Sequence, residues 1–312
     1  MAVFYVLLAI LIVFLMVASV FTYLFFYTFV RRKKPYNIDE SLANEPTIKP
    51  YLKLINDGVR YCETQPFEHC YTKSYDGKKL HARLYKTENA KGTIILFHGY
   101  RSLGLRDFSV VVGEYKRFKF NVLMTDMRAH GLSEGKIITY GVKDRYDVLT
   151  WVDYVTKNIS NDEKIIIDGL SMGSSTVLMA SELDLPDNVK GIVADSGFTS
   201  PREIINIVGK KLVKFNCSFA TSILNIYCKI FGKFSLDVST VDAVKKCKIP
   251  ILFIHGKSDN FVPYEMTIRN YESATCPKKL VLVDNADHGI SFLIERDRII
   301  KELEEFLLPK IN

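Results

Sequence analysis

Ala2 to Val30 carries no charged residue, no glycine and no proline, and its clearly polar side chains are Ser19, Thr22 and Thr28. A bilayer-spanning helix needs roughly 20 apolar residues at about 1.5 Å rise each, so this run is long enough to cross. An aromatic cluster from Phe21 to Phe29 closes it, as an interfacial belt would. The pattern then changes. Pro35 to Pro66 reads as a polar linker with one helical turn around Tyr51 to Ile55. Cys70 to Tyr75 and Leu80 to Tyr85, joined at Asp76-Gly77, read as a hairpin.

Beyond the hairpin, short apolar runs alternate with helix-length stretches. The predicted strands are Thr93 to Phe97, Val122 to Thr125, Lys164 to Asp168, Gly191 to Ala194, Ile251 to His255 and Leu280 to Val283. Their Val, Ile and Leu content suits strands buried on both faces. Alternation of this kind predicts an α/β fold, a mainly parallel sheet with helices on both faces. Ser200 to Asp237 breaks the rhythm, because it holds no convincing strand. Ser200-Pro201-Arg202-Glu203 has the form of a capping box with proline at the first helical position. We read about 200–237 as a helical lid inserted over the sheet's C-terminal edge, with an ordinary long crossover as the alternative. The expected organisation is therefore an anchor and basic flank at 1–34, a linker at 35–66 and one α/β domain at 67–312.

Composition adds limits. The chain has 312 residues, a quarter of them charged, and 10 prolines, which excludes a disordered or collagen-like chain. The net charge of +7 is unevenly placed. Arg31, Arg32, Lys33 and Lys34 follow the apolar run and by the positive-inside rule put the remaining domain in the cytoplasm. A cleaved signal peptide is the alternative, although nothing basic precedes Arg31 and bulky residues fill the cleavage zone. Pro201 to Leu236 carries Arg202, Lys210, Lys211, Lys214, Lys229 and Lys233 against Glu203 alone. No nucleic-acid recognition motif accompanies this charge. It fits either solvated helix faces or a basic amphipathic lid on an anionic membrane surface. The six cysteines show no zinc-ligand spacing, so no metal is expected.

The candidate chemistry starts at Gly169-Leu170-Ser171-Met172-Gly173, between a predicted buried strand and a helix. G-x-S-x-G in that setting forms a sharp turn that lifts a serine Oγ above the sheet edge, and its glycines avoid collision with the neighbouring strand and helix. A serine nucleophile needs a base. His69 and His81 lie before or within the hairpin, His98 and His255 end strands, and His130 lies in a loop. His288, in the loop after the last predicted strand, can swing over the sheet edge to Ser171. The orienting acid is expected to be Asp259, after the strand ending at His255, with Asp195 as runner-up. Asp284 and Asp287 sit too close to His288 in sequence to orient it. The order Ser171, Asp259, His288 is the Ser…Asp…His order of this arrangement. Gly99 lets the backbone approach substrate closely, and the expected oxyanion donors are the N–H groups of Tyr100 and Met172.

On these residues the chain resembles the α/β-hydrolase superfamily, and within it the membrane-anchored, lid-bearing serine hydrolases of esterase, lipase or serine-peptidase type. The resemblance covers Cys70 to the C-terminus. It rests on Phe97-His98-Gly99-Tyr100, the stretch Asp126-Met127-Arg128-Ala129-His130-Gly131-Leu132-Ser133, Gly169 to Gly173, Gly256-Lys257-Ser258-Asp259 and Asp287-His288-Gly289. It implies cofactor-free hydrolysis of a small-molecule or lipid acyl substrate through an acyl-enzyme. A peptidase or amidase uses the same triad, and a non-catalytic binding module uses the same fold; both stay open here.

Overall fold

The computed structural model describes all residues except 33–45, 160–163 and 312. Lys33, Lys34 and the first part of the expected linker lie outside the described residues. The chain opens with helix α1 (Ala2–Val30). It is the one helix among the described residues long and apolar enough to cross a membrane. A 3-10 turn (Lys49–Tyr51) leads into α2 (Leu52–Thr64). The sequence pattern predicts one helical turn here, and the structure has more than three. Its apolar face is too sparse to announce it, resting on Ile55 and Cys62. It lies flat on the protein because Gly58 lets it touch the backbone of Ser109, where a Cβ would come within 2.9 Å.

The strands follow as β1 (Glu68–Lys73), β2 (Lys79–Tyr85) and β3 (Gly92–Phe97). Then come α3 (Gly104–Arg117), β4 (Phe120–Asp126), α4 (Asp144–Asn158), β5 (Ile165–Leu170), α5 (Met172–Ala180) and β6 (Val189–Asp195). Two helices, α6 (Pro201–Val213) and α7 (Ser218–Tyr227), and a π-helical turn (Cys228–Gly232) form the excursion after β6. The chain closes through α8 (Thr240–Val244), β7 (Ile251–Gly256), α9 (Glu265–Ser273), β8 (Lys278–Val283), α10 (Ser291–Ile294) and α11 (Arg296–Leu307).

The eight strands make one sheet in the order β1-β2-β4-β3-β5-β6-β7-β8. The β1–β2 and β2–β4 pairs are antiparallel, and all others are parallel. Strand side chains alternate between faces, so a strand covered on both sides must be apolar at every position. In β3, Ile95 and Phe97 join the core under α4 and α5, while Ile94 and Leu96 join the core under α2, α3 and α11. The edge strand β1 buries only Cys70. The parallel strands all point their C-terminal ends to one edge, where the loops carrying the candidate chemistry converge.

Candidate active site

Ser171 sits between β5 and α5 with φ 57° and ψ −114°, a conformation that L-residues rarely adopt. The turn is held by close packing of backbone on backbone. A Cβ at Gly169 would lie 2.3 Å from the carbonyl of Gly173, and one at Gly173 would lie 1.8 Å from the carbonyl oxygen of Phe97. Both glycines are therefore required by contact. The Ser171 N–H donates to the Asp195 carbonyl at 2.8 Å, which fixes the turn against β6. Met172 is the first residue of α5, so its N–H belongs to the unpaired first turn of a helix.

Two loops, after β7 and after β8, bring the partners in. His288 Nε2 lies 2.8 Å from Ser171 Oγ, and its Nδ1 lies 2.7 Å from Asp259 Oδ2. The carboxylate fixes the proton on Nδ1 and leaves Nε2 to accept from the serine hydroxyl. Burial opposes charge on His288, but the hydrogen bond and charge of Asp259, with Asp195 and Asp107 beyond, raise its pKa above 6.5. Burial would raise the Asp259 pKa; the hydrogen bonds and charges of His255 and His288 hold it well below the usual carboxylate range. Asp259 Oδ1 also accepts from the N–H groups of Phe261 and Val262. Sequence reasoning did not see that His255 shares this carboxylate, with Nε2 at 3.0 Å from Oδ2. Its position four residues before Asp259, at the end of β7, was the available signal.

The runner-up acid, Asp195, accepts from Ser196 Oγ, while His288 Nδ1 faces Asp259. Asp287 works on the backbone. Its Oδ1 accepts from the N–H groups of Asn260 and His288, tying the two loops together. Gly256 permits that closeness, since a Cβ there would lie 2.2 Å from the Ala286 carbonyl oxygen.

The loop after β3 passes beside the serine, with the Cβ position of Gly99 3.4 Å from Ser171 Cβ. Asp107, at the start of α3, grips this loop by accepting from the Gly99 N–H at 2.7 Å and from Ser102 Oγ at 2.5 Å. His98 accepts from the Met127 N–H, and His130 accepts from the Arg101 N–H. Burial beside His98 drives the His130 pKa down to about 3, so it stays neutral. These two rings join the Gly99 loop to the Asp126–Ser133 loop. That loop is itself anchored by the buried Arg128–Asp147 ion pair at 2.6 Å. His81 lies between His69 and Asp126, its two ring nitrogens within hydrogen-bond distance of one each.

Two cavities meet at Ser171. One, of about 600 Å³, runs down toward Tyr115, Asp168 and Asp195. Burial pushes Asp168 up to about 7 and Asp195 up to about 6. The other, of about 140 Å³, is apolar and lies beneath α6. Ser200 caps α6 through the Glu203 N–H, but the Glu203 carboxylate goes to Thr199 and Arg269 rather than back to Ser200, so the capping box is half formed.

The geometry can be set beside known proteins. A profile of the alpha/beta hydrolase fold matches residues 92–220. The uncharacterized protein YqkD of Bacillus subtilis is 30% identical over 235 residues, 75% of each chain. The chain belongs to the α/β-hydrolase superfamily. The alpha/beta hydrolase domain-containing protein WAV2 of Arabidopsis thaliana is 26% identical over 201 residues, 63% of each chain. Among solved structures, the Pyrococcus furiosus esterase Pf2001 superposes with a TM-score of 0.65 at 22% identity, over 81% of this chain and 95% of that one. Est1E of Butyrivibrio proteoclasticus, solved with ferulic acid, gives 0.61 at 22% identity, over 78% and 99%. Family and fold are those of hydrolases.

Proposed function

We propose that this α/β-hydrolase is a serine hydrolase that cleaves carboxylic esters or thioesters at a membrane surface. The observation that carries the reading is the continuous hydrogen-bonded line Ser171–His288–Asp259 on a strained turn. Ser171 Oγ attacks the acyl carbonyl carbon as its proton passes to His288 Nε2. The oxyanion is held by the N–H groups of Tyr100 and Met172, each such donor being worth roughly 2.7–4 kcal/mol. His288 returns the proton to the leaving oxygen or sulfur. Water then adds to the acyl-enzyme with His288 as base, releasing the acid and restoring Ser171.

Attachment through a retained α1 is supported by how its end is held. Val30 is fully buried, and its carbonyl accepts from the Ile138 N–H at 2.7 Å. The Phe29 carbonyl accepts from both Tyr100 Oη and Tyr140 Oη. Arg32 continues the contact, bonding the Gly131 and Ser133 carbonyls. A leader removed by cleavage has no need of such a seat. We also propose that α6, α7 and the π-helical turn act as the lid.

The test is labelling of the full chain in detergent with a fluorophosphonate, followed by turnover of p-nitrophenyl esters and aminoacyl amides. Labelling at Ser171 with ester turnover supports the reading. Turnover of amides alone makes the protein a peptidase or amidase. A folded chain that never labels makes it a binding module.

A further inference from the structure

The apolar cavity beside Ser171 is built partly from the membrane helix. Its walls include Phe25 and Phe29 of α1, Ile205 and Val208 of α6, and Tyr140. Phe25 and Phe26 pack against the hydrophobic core, while Phe21, Tyr23 and Tyr27 face outward. The aromatic end of α1 thus divides its work, and only part of it is available as an interfacial belt. Apolar cavities of about 150 Å³ stay dry and accept a six-carbon ring, so this one suits hydrocarbon rather than a polar group.

The surroundings continue the same chemistry. Tyr227, at the end of α7, reaches the Ser19 carbonyl of α1. From Ser19 back to Ala2 the helix extends about 26 Å, close to the roughly 30 Å of a hydrocarbon core. The lid therefore flanks α1 where it leaves the bilayer. Leu212, Phe215, Phe219, Ile226, Ile230 and Phe231 are all more than half exposed on the lid elements and the turn between α6 and α7. Lys210, Lys214 and Lys229 lie among them. Apolar side chains beside lysines are the chemistry of a surface lying in the headgroup boundary.

The geometry points to a substrate class: a membrane lipid whose acyl chain fills a pocket walled by Phe25 and Phe29 with about its first six carbons and passes out between α1 and the lid with the remainder. This rests on Ser171 being the nucleophile. Its carbonyl end lies at Ser171, and the larger cavity receives the alcohol side. The membrane helix is then part of the binding site as well as its tether.

The experiment uses the full chain in phosphatidylcholine vesicles and compares kcat/KM for p-nitrophenyl octanoate and acetate. The variants are Phe25→Ala/Phe29→Ala, which removes the wall, and Phe25→Trp, which narrows the pocket while keeping an aromatic side chain for docking. Phe21→Ala, on the outward face, is the control and leaves both rates unchanged. The octanoate-to-acetate ratio is expected to fall about ten-fold in the wall variants, the size of losing the burial of about two methylenes of the chain. A ratio within about two-fold of wild type in both, with Ser171 still labelled by fluorophosphonate, overturns the acyl pocket and leaves the hydrolase reading standing. A wild-type chain that neither labels nor turns over either ester overturns the hydrolase reading, and the pocket's role falls with it.

Discussion

His255 Nε2 lies 3.0 Å from Asp259 Oδ2, the same oxygen that faces His288 Nδ1 at 2.7 Å. His255 Nε2 also faces the Val262 carbonyl, and its Nδ1 faces Thr267 Oγ1. With two acceptors at Nε2, the proton sits there and Nδ1 accepts from the threonine. His255 is therefore a fully buried donor that fixes the carboxylate which in turn fixes His288. It acts as a positioning residue. His255→Leu is expected to lower kcat about ten-fold to a hundred-fold with little change in KM, the size of one hydrogen bond to a charged group, about 1.5–3 kcal/mol. Steady-state kinetics with a short ester checks it, and a change confined to KM would contradict it.

The pH profile follows from His288. Catalysis needs its neutral form, and its pKa is raised above 6.5. The acid limb of kcat/KM is expected to have its midpoint above that value. Stability runs the opposite way for this group. Its contribution is fully present below 6.5 and is lost as pH rises through the raised folded value. Asp259, with a depressed pKa, contributes stability above 3.8 that is lost as pH falls through its folded value. Asp259→Asn is expected to cut kcat by about 10⁴-fold, because the amide no longer secures the Nδ1–H tautomer.

Gly173→Ala places a Cβ 1.8 Å from the Phe97 carbonyl oxygen. Neither partner is a flexible side chain, so backbone must move. We expect about 3 kcal/mol of destabilisation, the upper end of the usual overpacking range, measured by chemical denaturation. Loss of fluorophosphonate labelling should accompany it, because the turn carrying Ser171 is displaced.

Arg128→Met leaves Asp147 and Asp144 buried without their cation. Burial already pushes Asp147 up to about 7 even with the arginine present. Removing one partner of a buried ion pair costs about 3–5 kcal/mol, and a thermal melt of the variant checks this. The loop that Arg128 anchors also receives Arg32, so seating of α1 should loosen, read as faster proteolysis after Arg31.

Lys210→Glu/Lys214→Glu changes the charge of the lid surface. Turnover of a lipid-soluble ester is expected to fall about thirty-fold on anionic vesicles and to stay constant on neutral ones, since about 1 kcal/mol for each of the two lysines comes from the anionic surface. Equal loss on both would remove charge attraction from the account.

The sequence by itself determined the sheet and the candidate triad. Strands such as β3 and β5 are covered on both faces, so their apolar runs are continuous and visible without any contact information. Gly169 and Gly173 were legible because the turn between them admits no side chain, and Asp259 and His288 because each follows a strand at the C-terminal edge. What the chain order could not show were contacts made between distant segments. The pattern of α2 announces only a single turn because its burial rests on a few residues and one glycine. The third partner of Asp259, the grip of Asp107 on the Gly99 loop and the half-formed capping box depend on where side chains point. The apolar run of α1 announced a helix able to span a bilayer, yet periodicity is silent about which of its residues meet another element. Only the tertiary structure placed Phe25 and Phe29 beside Ser171, because that contact joins residues nearly 150 apart and is set by how α1 docks on Tyr100 and Tyr140.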